Sequence, residues 1–416
     1  MSVKLRRAVL WPVLMALAVG GRARAQTPPP IEVMHSWTST GEHAAVDVLI
    51  AGYRRAGGQW RDVAVAGFEN VDALVISRIL GGQPPGAAHF VAGPVIHDLV
   101  KWDLLLNLDD VARAGDWKAK FPPLIYRAVS QDGHVYGVPF NIRVQNLLFY
   151  SLPVLKRAGV RQPPRDWDEL FAAFDRIRQA GAIPLALGGQ PWQEHMLFDA
   201  VLLSRAGADI YNRVYIKRDA SAVRSPAFLA AVRTFARLRG YVDAGASGRN
   251  WNDATALVTT HKAGMQFMGD WALAEFAAAG QVAGRDFGCL AGVNDRNVII
   301  GSDMFVLPAG GGAGQAAAQK LLATVALSPA MQLDFNRALG GLPVRLDLDT
   351  RSLGPCSAML APLVADSRAA VPTSTTVVTP DLNGELRDVI TEFWSDPAMR
   401  PETMVERFAR IIETAT

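Results

Sequence analysis

The sequence predicts an α/β protein of two lobes joined by hinge strands, with a ligand cleft between the lobes. Three observations point there. Strand-like and helix-like segments alternate from residue 31 onward. A chain of 416 residues exceeds one small core, since domains run roughly 100–200 residues. An aromatic, strand-like stretch within residues 132–150, interrupted by Pro139, reads as a crossing between two bodies.

The elements follow in order. Residues 31–36 form a short apolar strand, and a polar turn over 38–41 leads into a helix with Val46, Leu49, Ile50 and Tyr53 at i, i+3, i+4 and i+7. A second strand over 61–65 precedes a helix carrying Val71, Leu74, Val75 and Ile79, which stops at Gly81-Gly82. A third strand, 87–91, ends near Gly93. Such alternation predicts a largely parallel sheet, in which ligands gather beyond the carboxyl ends of strands; Trp37, Glu42 and His89 lie at or just past such ends. Asp166 reads as an N-cap with Glu169 completing a capping box, before a helix striped by Trp167, Leu170, Phe171, Phe174 and Ile177. A strand over 183–187, helical patterns over 193–207 and 226–242, a strand over 302–307, a helix over 315–327 and a helical tail broken at Asp396-Pro397 complete the chain. The expected organisation is one lobe of residues 31–139 plus about 300–345, and another of about 140–299 plus 346–416.

The first 25 residues read as a cleavable export signal. Lys4, Arg6 and Arg7 precede an apolar run of about 14 residues, short of the roughly 20 that a membrane span needs, and Ala23-Arg24-Ala25 is a small-x-small cleavage site. The proline-rich residues 26–30 are expected to be a disordered lead-in. The leader holds five of the 42 Lys and Arg and none of the 39 Asp and Glu, leaving 37 basic and 39 acidic residues and a net charge of −2. No basic face for nucleic acid is therefore expected. No cysteine immediately follows the cleavage site, so a soluble periplasmic protein is expected rather than a lipid-anchored one. An oxidising compartment permits a Cys289–Cys356 disulfide, but the sequence leaves two buried thiols equally open.

The most informative chemistry is where the tryptophans sit. Trp37, Trp192, Trp251 and Trp271 each stand beside polar, turn-like residues: Glu42 follows Trp37, Gln193 and Glu194 follow Trp192, Asn252 and Asp253 follow Trp251, and Asp270 precedes Trp271. A sugar presents C–H groups on its ring faces and hydroxyls at its edge, so an indole plate covers the face while carboxylates and amides hold the rim. No pair of the seven histidines has metal-ligand spacing, and no nucleophile elbow or phosphate-cradling loop is present; neither metal nor cofactor is expected. Paired carboxylates for glycoside hydrolysis leave no local motif, because their pairing is spatial.

With these residues in hand, the chain resembles the extracellular solute-binding proteins of ABC sugar importers (bacterial solute-binding protein family 1), nearest the glucose/mannose-binding branch. His35 to Glu42, H-S-W-T-S-T-G-E, is similar to the branch's W-W-T-S-x-G-E opening. Asp132 to Pro139 resembles D-G-K-x-Y-G-x-P, Asn141 to Tyr150 the N-x-H-R-x-N stretch, and Pro163 to Leu170 P-P-x-T-W-D-E-L. Met268-Gly269-Asp270-Trp271 and Ser302-Asp303-x-Phe305-x-Leu307-Pro308 match later motifs. The resemblance implies a periplasmic-binding-protein fold that closes on one sugar, a monomer delivering it to a membrane permease with a cytosolic ATPase, and no enzymatic activity. It implies that Trp37 and Trp271 stack on the ligand and that Glu42 and Asp303 accept from its hydroxyls, with His89, Asn141, Arg143, Trp192, Gln193, Trp251 and Asp270 nearby. Ser36, Val91 and Leu339 stand where the branch carries tryptophan, a polar or basic residue, and lysine, and residues 373–379 lack its late histidine. Each missing hydrogen bond costs about 1 kcal/mol, so a larger, modified or less polar ligand than glucose is expected. The alternatives are another polyhydroxylated solute, such as an oligosaccharide, a glycoside or a polyol, or an exported carbohydrate-active enzyme.

Overall fold

The computed structural model describes residues 29–293 and 297–415. The expected leader and most of the proline-rich lead-in lie outside the described residues.

Two separate sheets anchor the two lobes. The first has the order Trp60–Ala64, Ile31–His35, Ala87–Val91, Asp303–Val306, Gly137–Pro139. Its first three strands are parallel, whereas Asp303–Val306 runs antiparallel to both neighbours. The second has the order Phe287–Leu290, Leu147–Ser151, Ala263–Met268, Ile183–Leu185, with only the last pair parallel. The parallel expectation thus holds for the early strand–helix units, which need crossover helices, and fails where the late strands return.

A third, small sheet joins these bodies. Arg143–Val144 pairs antiparallel with Val298–Gly301, which pairs parallel with Ala370–Pro372. The chain passes from the first sheet to the second through residues 140–146 and returns between Gly301 and Asp303. A third connection lies beside them, where Ile142 bridges Leu342. The stretch read as a crossing is therefore four short strands, broken at residues such as Pro139 that cannot extend a ladder on both sides.

Local chemistry explains how several helices begin, face the core and break. Thr40–Arg55 begins with a capping box: the Glu42 N–H donates to Ser39 Oγ at 3.3 Å and the Ser39 N–H to Glu42 Oε2 at 3.2 Å. The box expected at Asp166 is only half formed. Asp166 caps Trp167–Gln179 by accepting from the Glu169 N–H at 2.8 Å, but Glu169 turns outward to the N–H and guanidinium of Arg165. The expected apolar stripe of that helix is buried, whereas Leu74 of Phe68–Leu80 is 41% exposed because only Val71, Val75 and Ile79 of that helix face the sheet. Pro191–Tyr215 breaks at Gly207, whose φ of 82° suits glycine.

Cys289 and Cys356 form a disulfide, which ties the strand Phe287–Leu290 to the helix Pro355–Ala365 across 67 residues. The bond closes a long loop just after the third connection and so restricts the unfolded chain. Reduction, or Cys289→Ser with Cys356→Ser, is expected to lower stability by about 2–4 kcal/mol in urea melts with little change in the native far-UV spectrum. Unchanged melting would show that this loop is already held by packing alone.

Candidate functional site

A cavity of about 410 Å³ opens between the two bodies. On one side the chain leaves the carboxyl ends of Ile31–His35 and Ala87–Val91; on the other stand the first turns of Pro191–Tyr215 and Trp251–Thr259. Eight of the eleven residues singled out from the sequence line it: Trp37, Glu42, His89, Arg143, Trp192, Trp251, Trp271 and Asp303.

Asp303 is the electrostatic centre of the wall. It is 1% exposed, and Oδ1 lies 3.0 Å from both His89 Nε2 and Arg143 Nη1. Asn141 donates Nδ2–H to Oδ2 at 2.7 Å and accepts the Asp303 N–H on Oδ1 at 2.7 Å. Burial alone raises the carboxyl, but the Arg143 guanidinium, His89 and the hydrogen bond from Asn141 outweigh it and bring Asp303 down to about 2. Asp303 is thus an ionised hub that fixes the donors around it.

Three indoles gather beside that hub. Trp271 lies 6.3 Å from Trp192 and meets Trp251 edge-on at 6.5 Å, while the Arg143 guanidinium sits 5.0 Å over its ring. Trp192 and Trp251 are half-buried, leaving ring surface toward the cavity. Trp37 is different. It is 3% exposed and stacks on His89 at 4.1 Å, with Phe140, Phe305 and Phe335 around its edges. Its placement joins the cavity to the core of the first sheet, so the imidazole already covers one face.

Glu42 shares its carboxylate between the wall and its own helix cap. Burial raises it to about 7, and the neighbouring Glu275 and Asp303 charges add to the rise against the hydrogen bonds from Ser39. The remaining three predicted residues stand behind the wall. Asn141 is occupied by Asp303. Asp270 is 1% exposed, accepts the Val144 N–H at 3.0 Å, and is raised by burial well above the usual carboxylate range. Gln193 is fully buried, accepting the Gly188 N–H at 3.1 Å and donating to Gln190 Oε1 at 2.8 Å. These three correct the expectation of direct contact: Gln193 and Asp270, each next to a cleft tryptophan, and Asn141 behind Asp303 turn to backbone and side-chain groups that need partners.

The sequence reading missed the polar groups that precede or face the indoles. Gln190 and Asn250 are the N-caps of the two helices that begin with Trp192 and Trp251 in their first turns, and both line the cavity. A side-chain amide one or two positions before a tryptophan at a helix start was the available signal. Thr373, Ser374 and Thr375 also line the wall, in the stretch noted only for its missing histidine. The substituted positions Ser36, Val91 and Leu339 all face the cavity, so those departures bear on its chemistry.

Contacts across the cavity hold the two sides together. Arg387, on Pro380–Ser395, pairs with Glu69, on Phe68–Leu80. The Gly41 N–H donates to Glu275 Oε1 at 2.9 Å, linking Thr40–Arg55 to Ala272–Ala278. Both contacts tie helices on the two sides of the cavity to each other.

Comparison with known proteins agrees with this architecture. The chain is 37% identical over 337 residues to a "probable sugar-binding periplasmic protein" of Brucella suis biovar 1 (strain 1330), covering 80% of this chain and 79% of that one. It is 36% identical over 346 residues to a protein of the same description from Rhizobium meliloti (strain 1021), covering 82% of each. A solved structure described as a chitin oligosaccharide binding protein superposes with a TM-score of 0.79 at 20% identity, over 93% of this chain and 99% of that one, which establishes a common fold. Residues 75–332 match the family described as bacterial extracellular solute-binding protein, and with two relatives above one-third identity across four-fifths of its length the chain belongs to that family.

Proposed function

We propose that this protein is the periplasmic sugar-binding component of an ABC importer. The observation that carries the reading is the convergence of Trp192, Trp251 and Trp271 with the Arg143–Asp303 pair on one interlobe cavity. Indole faces cover the C–H faces of a sugar, and the fixed carboxylate, guanidinium and amide groups meet its hydroxyls. The relatives described as sugar-binding periplasmic proteins support the same ligand class.

The lobes are residues 31–139 plus about 300–345, and about 140–299 plus 346–416, and they turn about the short bridging sheet. A ligand that touches both favours the closed state by its differential affinity, and the closed monomer is what a membrane permease and its cytosolic ATPase receive. The sugar leaves chemically unchanged. Export through the N-terminal signal places the protein in the periplasm.

Calorimetry and intrinsic tryptophan fluorescence over a panel of mono- and disaccharides test the reading. At least one sugar is expected to bind, to shift the indole emission, and to be recovered intact. Silence across the panel, or conversion of the sugar, overturns it.

A further inference from the structure

The cavity continues well past the indoles. Trp192 and Asp199 both line it from one helix, Pro191–Tyr215. Seven residues of α-helix rise about 10.5 Å. Trp192 marks one end, against Trp271. Asp199 marks the other, where Ser374 Oγ donates to Asp199 Oδ2 at 3.1 Å. This span exceeds a single pyranose ring.

The far arm differs in chemistry from the near one. Instead of stacked indoles it presents His195, Asp199, Ser374, Thr375 and Asn383. Two atoms of this set have no hydrogen-bond partner within the protein although both are buried: Asn383 Oδ1, and His195 Nε2, which is 3.7 Å from Asp199 Oδ1 and beyond bonding reach. Unpaired buried polar atoms are uncommon in a packed interior and carry a desolvation cost. A hydroxylated unit seated here would supply partners to both.

We propose that this far arm is a second subsite, so that the physiological ligand has at least two linked units, a disaccharide or a glycoside with a hydroxylated far end. This rests on the sugar reading above and refines it. The near unit lies among Trp192, Trp251 and Trp271. The far unit hydrogen-bonds along the cavity-lining edge of the Pro191–Tyr215 helix and the hydroxyls of residues 374–375.

Titration calorimetry on the mature chain with glucose, galactose, mannose and xylose against cellobiose, maltose, lactose and xylobiose tests it. At least one disaccharide is expected to bind tenfold or more tightly than its own monosaccharides. Asn383→Ala, and separately the near-isosteric Thr375→Val, are expected to bring that ratio down toward one. If monosaccharides bind as tightly as disaccharides, or if both variants leave the ratio untouched, the second subsite is overturned while the sugar reading stands. Binding of none of these sugars overturns the sugar reading and the subsite with it.

Discussion

Replacing Asp303 with alanine is expected to abolish ligand binding and to lower stability by about 3–5 kcal/mol. The side chain is surrounded: His89 and Arg143 share one oxygen and Asn141 holds the other. Deleting the carboxylate leaves a buried guanidinium, an imidazole and an amide without their acceptor, and breaking a buried ion pair from one side costs about this much. Asp303→Asn keeps the volume and separates charge from shape. It is expected to lose most of the same stability, because an amide NH₂ turns a donor toward donors. The pH dependence carries a defined sign. A carboxylate held at about 2 when folded and at 3.8 when unfolded contributes stability that is fully present above pH 3.8 and lost as pH falls through about 2. Urea melts at pH 7 and pH 2.5 check this: the wild type loses stability toward acid, and Asp303→Asn loses less over the same interval. Equal acid sensitivity in the two proteins would remove Asp303 from the account.

Trp271→Ala is expected to weaken the tightest sugar of the panel by roughly 30- to 1,000-fold, the effect of truncating a central aromatic anchor worth about 2–4 kcal/mol. Trp271 is 9% exposed, lines the cavity beside Trp192 and Trp251, and carries the Arg143 guanidinium on its face. Its loss removes stacking area and frees Arg143 to swing from Asp303. Trp271→Phe preserves a flat apolar face and is expected to recover about half of the lost binding energy. Calorimetry on both variants, beside thermal melts that establish folding, decides the point. Wild-type affinity in a folded Trp271→Ala protein would place the ligand elsewhere.

Much of the fold was legible because its signals are local. The stripe of Val46, Leu49, Ile50 and Tyr53 states its period directly, the strand over 87–91 is a short run ending near Gly93, and the structure buries both. The capping box at Ser39 and Glu42 went unread because Glu42 was assigned to ligand; one carboxylate serves both the cap and the cavity wall. The tryptophans revealed the near end of the cavity, since an indole beside turn residues has few apolar neighbours in sequence. Direction was not legible. Whether Asn141, Gln193 and Asp270 face the cavity or back it depends on side-chain orientation, which adjacency in sequence leaves open. The far arm was hidden for another reason. Asp199, Ser374 and Asn383 meet only after helices distant in the chain pack together, and nothing in their separate neighbourhoods announces the meeting.

The Glu69–Arg387 pair has a consequence for how long a guest remains inside. Both partners reach solvent at the rim, Glu69 more than Arg387, so mobile ions compete with their attraction. Escape of an uncharged molecule thereby acquires a dependence on ionic strength that the molecule itself does not possess. A saltier medium loosens the clasp and hastens departure, and a dilute one prolongs the stay.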